Sequence, residues 1–183
     1  MTRLPPTPDH RRRLRAAALA TLLAAALPAA GEEEKPSEYA VKAAFLRSAV
    51  RLVDWPAERR APLEVCVVGQ DPFGPALDAI AGTAGDLTIE VHRHAEARAA
   101  RACEVVFIGP SERAQLRAVL AALEGSGALT VGDTEGFAEQ GVILNFYLDG
   151  AKVRFEVNVD AARRSGVALQ PRLVSLGRAV RGS

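Results

Sequence analysis

Apolar residues recur at spacings of four, four and three in Val41, Phe45, Ala49 and Leu52. That period predicts a helix from a Ser37 cap to about Val53 with those four side chains on its buried face. Trp55-Pro56 stops it. Leu63 to Val68 is a short β-branched run containing Cys66 and ending at Gly69, the pattern of a buried strand. Gln70-Asp71-Pro72-Phe73-Gly74 reads as a loop into a short helix over Ala76 to Ile80, with Pro72 in its first turn. Gly82 to Asp86 turns the chain into a second strand, Leu87 to His92, and an Ala/Arg helix from about Ala95 to Arg101 leads to the clearest central strand, Glu104 to Ile108. Gly109-Pro110-Ser111 opens the next helix, whose apolar face is Leu116, Val119, Leu120 and Leu123. Ala128 to Val131 is a further strand, and Asp133-Thr134 cap a short helix through Phe137 and Ala138.

Strand and helix alternate to this point, which implies a largely parallel sheet with both faces covered. The end of the chain departs from that order. Val142 to Leu148 and Lys152 to Val157 flank Asp149-Gly150, a hairpin signal, and Val153 and Phe155 alternate with Arg154 and Glu156. The first pair faces inward and the second toward solvent. Asn158 or Asp160 caps a helix over Ala161 to Ser165, and Leu169, Leu173, Leu176 and Val180 line one side of a last helix. The predicted fold is α/β and three-layered: a largely parallel sheet, helices on both faces and a C-terminal β-hairpin, forming a single domain over 36–180.

The residues before that domain change the meaning of the charge balance. Arg11-Arg12-Arg13-Leu14-Arg15 precede an Ala/Leu run from Ala16 to Leu27 and then Pro28-Ala29-Ala30-Gly31. A basic stretch, a short apolar stretch and small residues read as a secretory signal peptide over 1–31, cut after Gly31, with the periplasm as destination. An uncleaved anchor is the alternative, although the apolar run is short for a membrane span. The 183 residues include 23 basic and 22 acidic ones, but 1–31 hold five of the basic and one of the acidic. The remaining 18 basic and 21 acidic residues leave a net charge of −3, which gives no case for holding nucleic acid. With 49% hydrophobic and 25% charged residues, the chain falls in the globular class and is too short for a large multidomain machine.

Export also changes what the two cysteines mean. Cys66 and Cys103 each sit at the start of a predicted strand, and an oxidising compartment lets neighbouring strands join them in a disulfide. Two buried free thiols are the alternative. Without a Cys-x-x-Cys spacing they are a poor redox centre and half of a zinc site. His92 and His94 share one face of an extended segment, but lack a third ligand in the sequence nearby. No metal, cofactor or catalytic residue is expected. Ser111 follows Gly109-Pro110 without the Gly-x-Ser-x-Gly elbow, so it reads as a helix cap rather than a nucleophile, and a hydrolase ranks third among the functions. Asp71 and Phe73 lie in the loop after the first strand, where open α/β sheets bind ligands; an ordinary turn with a proline at the helix start is the first reading of that loop, and a ligand or partner contact the second. Arg154, Glu156 and Asn158 form a candidate recognition strip beside the Gly136-Phe137-Ala138 loop, with Phe137 as its aromatic anchor.

Tyr39-Ala40-Val41-Lys42-Ala43-Ala44-Phe45-Leu46 and Val53-Asp54-Trp55-Pro56 open an ordered set of segments. Cys66-Val67-Val68-Gly69, Asp71-Pro72-Phe73-Gly74, Cys103 to Gly109, Gly136-Phe137-Ala138-Glu139 and Val153 to Asn158 continue it, with Ala161-Ala162-Arg163 and Leu173 behind. In that order, over about 38–180, the chain resembles the YfiR family of exported proteins. The resemblance implies a compact periplasmic α/β domain with a disulfide at Cys66 and Cys103 and a tendency to form homodimers. It also implies a non-enzymatic regulator that binds the periplasmic domain of an inner-membrane diguanylate cyclase and holds cyclic di-GMP synthesis and biofilm formation low until envelope or redox stress releases it. The alternative is a periplasmic small-ligand sensor with its pocket at the strand ends marked by Gly69, Gly109 and Gly132.

Overall fold

The computed structural model describes residues 36–57, 61–94 and 96–182. The leader over 1–31 lies outside them. Ser37 caps the first helix, α1 (Glu38–Ala49), its Oγ accepting from the Ala40 amide at 3.2 Å. The helix is shorter than its apolar spacing predicts. A 3-10 turn, Val50–Leu52, carries the chain into β1 (Val53–Asp54), and the Trp55 indole donates to the Val50 carbonyl at 2.8 Å, fixing the exit.

The next elements are β2 (Leu63–Val68), α2 (Pro75–Asp78), β3 (Gly82–Ala84), β4 (Leu87–His94) and β5 (Val105–Ile108). Pro75, not Pro72, takes the first helical position of α2, and the segment expected as a bare turn forms β3, an edge strand antiparallel to β4. Gly82 begins it at φ +91°, a conformation that side chains with a Cβ rarely adopt. Ala97–Ala102 and Pro110–Gln115 are 3-10 turns, the second running into α3 (Leu116–Leu123). After β6 (Leu129–Gly132) the predicted short helix is absent. Thr134 to Gly141 is a succession of turns in which the Phe137 amide donates to the Thr134 carbonyl.

The hairpin is present as β7 (Leu144–Asp149) and β8 (Lys152–Asn158), followed by α4 (Val159–Arg164), capped by Asn158. The long last helix is not. Pro171 begins α5 (Pro171–Leu176), which forces Gln170 to be extended and leaves Leu169 in β9 (Ala168–Leu169). Gly177 ends the helix, and Val180 lies in β10 (Arg178–Val180).

The main sheet runs β10-β8-β7-β6-β5-β2-β4-β3, with β4, β2, β5, β6 and β7 parallel. β8 reverses against β7, β10 runs parallel to β8, and β1 pairs antiparallel with β9 in a separate two-stranded ribbon. The fold is therefore the three-layer α/β arrangement that the alternation predicts, with a C-terminal strand added beyond the hairpin. One face carries Leu63, Val65, Val67, Phe107, Leu144, Phe146 and Phe155 against α1, α2, α4 and α5. The opposite face carries Cys66, Val68, Val106 and Ile108 against α3 and the turn over Ala97–Ala102.

Candidate functional site

The register of α1 decides what the molecule shows to solvent. Its buried residues are Lys42, Ala43, Leu46 and Ala49, one position round from the predicted stripe, so Phe45 turns outward at 38% exposure. Leu148 and Leu176 are also exposed, the second at 64%. Phe45 and Leu176 border a groove of about 380 Å³ between α1, the sheet and α5, floored by Leu144, Phe146 and Phe155. The Phe45 ring meets Phe146 and Phe155 edge-on, with centroids 6.4 and 6.1 Å away. Pro36 and Val41 belong both to this groove and to a second cleft that reaches Leu148 and Arg154 on the hairpin. The groove and the cleft therefore adjoin at Pro36 and Val41, one apolar and the other mixed, with Arg154, Lys152 and Glu38 along the second.

The burial that displaced Phe45 admits a charge. Lys42 is 3% exposed, and its Nζ lies 2.8 Å from Asp133 Oδ2 and 2.5 Å from Glu38 Oε1. The same ammonium stands 4.4 Å over the Tyr39 ring. Burial, together with the neighbouring Asp133 carboxylate, holds the Tyr39 phenol well above the ordinary tyrosine value. Asn145 lies on the other side of the same cleft and donates through Nδ2 to the Thr134 carbonyl (3.0 Å) and to Glu156 Oε2 (3.3 Å). Glu156 pairs in turn with Arg178, raising the guanidinium pKa, and that guanidinium sits over the Tyr147 ring at 4.6 Å. Asp133 Oδ1 and Asn145 Oδ1 are buried and accept no hydrogen bond among the described residues.

Several residues singled out in the sequence are structural. Phe137 is fully buried against the α3 face, so it is not a surface anchor; with no helix over 134–138, the loop turns its ring inward. Phe73 is buried edge-on between Tyr39 and Phe107. Asp71 ties its own loop, accepting from the Phe73 amide (2.7 Å) and from Arg93 Nε (2.7 Å); Arg93 also reaches Asp78, and the two carboxylates, Asp78 first, raise its pKa. Glu156 does not face solvent as the alternation predicts, because Arg178 of β10 pairs beside it in register and covers it. Asn158 is buried too, donating to the Ala138 carbonyl (2.7 Å) and capping α4 through Oδ1 (2.8 Å to the Ala161 amide). Arg154 alone of that strip stays open to solvent, 4.0 Å from Asp149.

Beyond the ends of β2 and β5 the two following loops pack closely on each other. The Gly109 amide donates to the Val68 carbonyl, and a Cβ at Gly109 would come within 2.6 Å of the Gln70 carbonyl oxygen. Ser111 Oγ accepts from the Gln70 amide at 2.9 Å and donates to Glu112, which makes it a loop tie. Cys66 and Cys103 form a disulfide with Cα atoms 6.1 Å apart. No helix among the described residues is long and apolar enough to cross a membrane.

The outward face of α1 was hidden in the sequence because Ala40, Ala43, Ala44, Phe45, Leu46 and Ala49 make the helix apolar nearly all round. A buried lysine in its centre shifts the stripe.

Comparison with known proteins adds two findings. The profile of the family described as YfiR/HmsC-like matches residues 39–178. Among solved structures, a conserved domain protein from Vibrio cholerae O1 biovar El Tor superposes with a TM-score of 0.59 at 11% identity, over 78% of this chain and 60% of that one. The ABC domain from Streptococcus pneumoniae, solved in complex with L-Trp, gives 0.53 at 7% identity, over 78% and 62%. At those identities the likeness is one of fold, and the chain spans about three fifths of the length of both structures.

Proposed function

This chain belongs to the YfiR/HmsC-like family, and on that premise we propose that it is a non-enzymatic regulator acting by protein contact in the periplasm. The partner is the periplasmic domain of an inner-membrane signalling enzyme, a diguanylate cyclase in the first instance, whose cyclic di-GMP output it restrains. Residues 1–31 act as the export signal, and 36–180 act as the one functional domain. The observation that carries the reading is the apolar face of α1, α5 and the hairpin, where Phe45, Leu148 and Leu176 stand in water without a covering element among the described residues. Exposed apolar surface of that kind, rimmed by charge, is the usual mark of a contact site. Control by contact needs no catalytic group in the regulator itself.

The test is capture of the membrane enzyme from detergent-solubilised membranes by the exported protein and by Phe45→Lys and Leu176→Lys variants. Leu176 is exposed, whereas the Phe45 ring also packs edge-on against Phe146 and Phe155, so the fold of each variant is verified by circular dichroism and its urea midpoint before capture is compared. Recovery of one cyclase by the parent protein, reduced tenfold or more by either substitution, is the expected result. Equal recovery by parent and variants would remove this face from the interaction. A second reading draws on the same groove: its volume and apolar walls suit a small apolar ligand, a sensor rather than a contact surface. A ligand retained through purification, and lost from both variants while capture is unchanged, would favour it.

A further inference from the structure

Two half-sites that lie apart in the sequence meet in the fold. Cys66 of β2 pairs in register with His92 of β4, and Val68 with His94, so both imidazoles project on the face that carries the disulfide. The Cys66 and Cys103 sulfurs and one ring nitrogen of His94 all lie within 4.8 Å of one another. The sulfurs are buried, whereas His94 is partly exposed. The His92 ring stacks against that of His94 at 6.3 Å and 17°, restraining its orientation. Two sulfurs and an imidazole converging on one point from one side are a three-ligand set, and only the bond between the sulfurs stops it from acting as one.

We infer that reduction converts this disulfide into a Zn²⁺ site made of the Cys66 and Cys103 thiolates and His94, with water as the fourth ligand. The reaction balances with a dithiol as reductant. The dithiol supplies two electrons and two protons and becomes a disulfide, the Cys66–Cys103 bond breaks, and two thiols form. Zn²⁺ then displaces both thiol protons, and neutral His94 donates a ring-nitrogen lone pair. Zinc–sulfur bonds of about 2.3 Å and a zinc–nitrogen bond of about 2.0 Å in a tetrahedron require donor separations of roughly 3.5 to 3.8 Å. The donor atoms start within 4.8 Å of one another, so the set closes on the ion when the imidazole nitrogen moves in and the two released sulfurs part to about 3.8 Å. Thiolate and imidazole donors select zinc over magnesium or calcium. The site is independent of the partner proposed above, and its failure would leave that reading untouched.

Cobalt substitution tests it. Co²⁺ is titrated anaerobically into the full-length exported protein, reduced with a phosphine that does not bind the metal, and into the oxidised protein. The expected result is one Co²⁺ per chain in the reduced form alone, with a thiolate charge-transfer band and the intense visible bands of a tetrahedral site. His94→Ala, whose fold is verified in its oxidised form, should bind at least about tenfold more weakly, taking the loss of an outer-shell partner as the lower bound. Zn²⁺ should raise the melting temperature of the reduced protein, since an ion bound only by the folded state stabilises it. Absence of the thiolate band, wild-type affinity in His94→Ala, or metal taken up with a coil-like dichroism spectrum that zinc does not restore would each overturn the inference.

Discussion

Lys42 keeps an ammonium group almost out of contact with water because two carboxylates answer it, and one of them, Asp133, is itself only 2% exposed at its side chain. Removing one member leaves the other buried and unpaired. Lys42→Met should therefore cost about 3–5 kcal/mol in urea denaturation, whereas removing Asp133 as well should recover part of that loss. Tyr39, next to the same pair, makes stability depend on alkaline pH. Its phenol is held above its ordinary value in the fold, so as pH climbs past about 10 the unfolded chain releases that proton first. The folded form then binds more protons than the unfolded one, and stability, complete below that pH, declines as it rises. Tyr39→Phe should flatten the decline relative to the parent, read from urea midpoints across the alkaline range. Neither residue announced this in the sequence. A lysine among alanines with Glu38 four positions before it reads as the polar side of a helix, and its buried carboxylate partner, Asp133, lies 91 positions away.

The central strands were legible because they sit in the middle of the sheet with both faces covered: β5 is apolar throughout, and β2 is broken only by Glu64. The hairpin was legible from Asp149-Gly150, where Gly150 takes φ +58°. Short strands were not. β1, β9 and β10 have two or three residues each, too few for a period, and they exist because distant partners pair with them. The α/β class followed from the alternation of elements, while the candidate contact face did not, since it combines α1 with β7, β8 and α5 from the far end of the chain. At the junction of α5 and β10, Gly177 passes so close to the hairpin that a Cβ would lie 2.5 Å from the Phe155 ring and 2.7 Å from Val157. Its φ of −100° is open to any residue, so the constraint is space. Gly177→Ala should destabilise by about 1–3 kcal/mol, measured by urea denaturation, through displacement of Phe155.

Across the whole molecule, the disulfide joins β2 to the segment entering β5, its adjacent central strand, through cysteines 37 positions apart in the chain. In the chain-entropy view, closing that loop contributes roughly 3–4 kcal/mol, and Cys66→Ser/Cys103→Ser should lose about that much without metal, read as a lower urea midpoint than the oxidised parent. That pairing was legible from two cysteines and a leader; the neighbouring imidazole was not, because only strand register brings it there. The β1–β9 ribbon has a different bearing. It fastens the exit of α1 to the approach to α5, and Gln170 reaches back across 116 positions to Asp54 at 2.8 Å. A chain made and delivered from its N-terminal end presents α1 long before the segment that clasps it exists. Until the final stretch arrives, the side of the first helix that meets β8 and α5 stays uncovered, so α1, the first-made helix of the described residues, is among the last to be secured, and an escort during synthesis would act there.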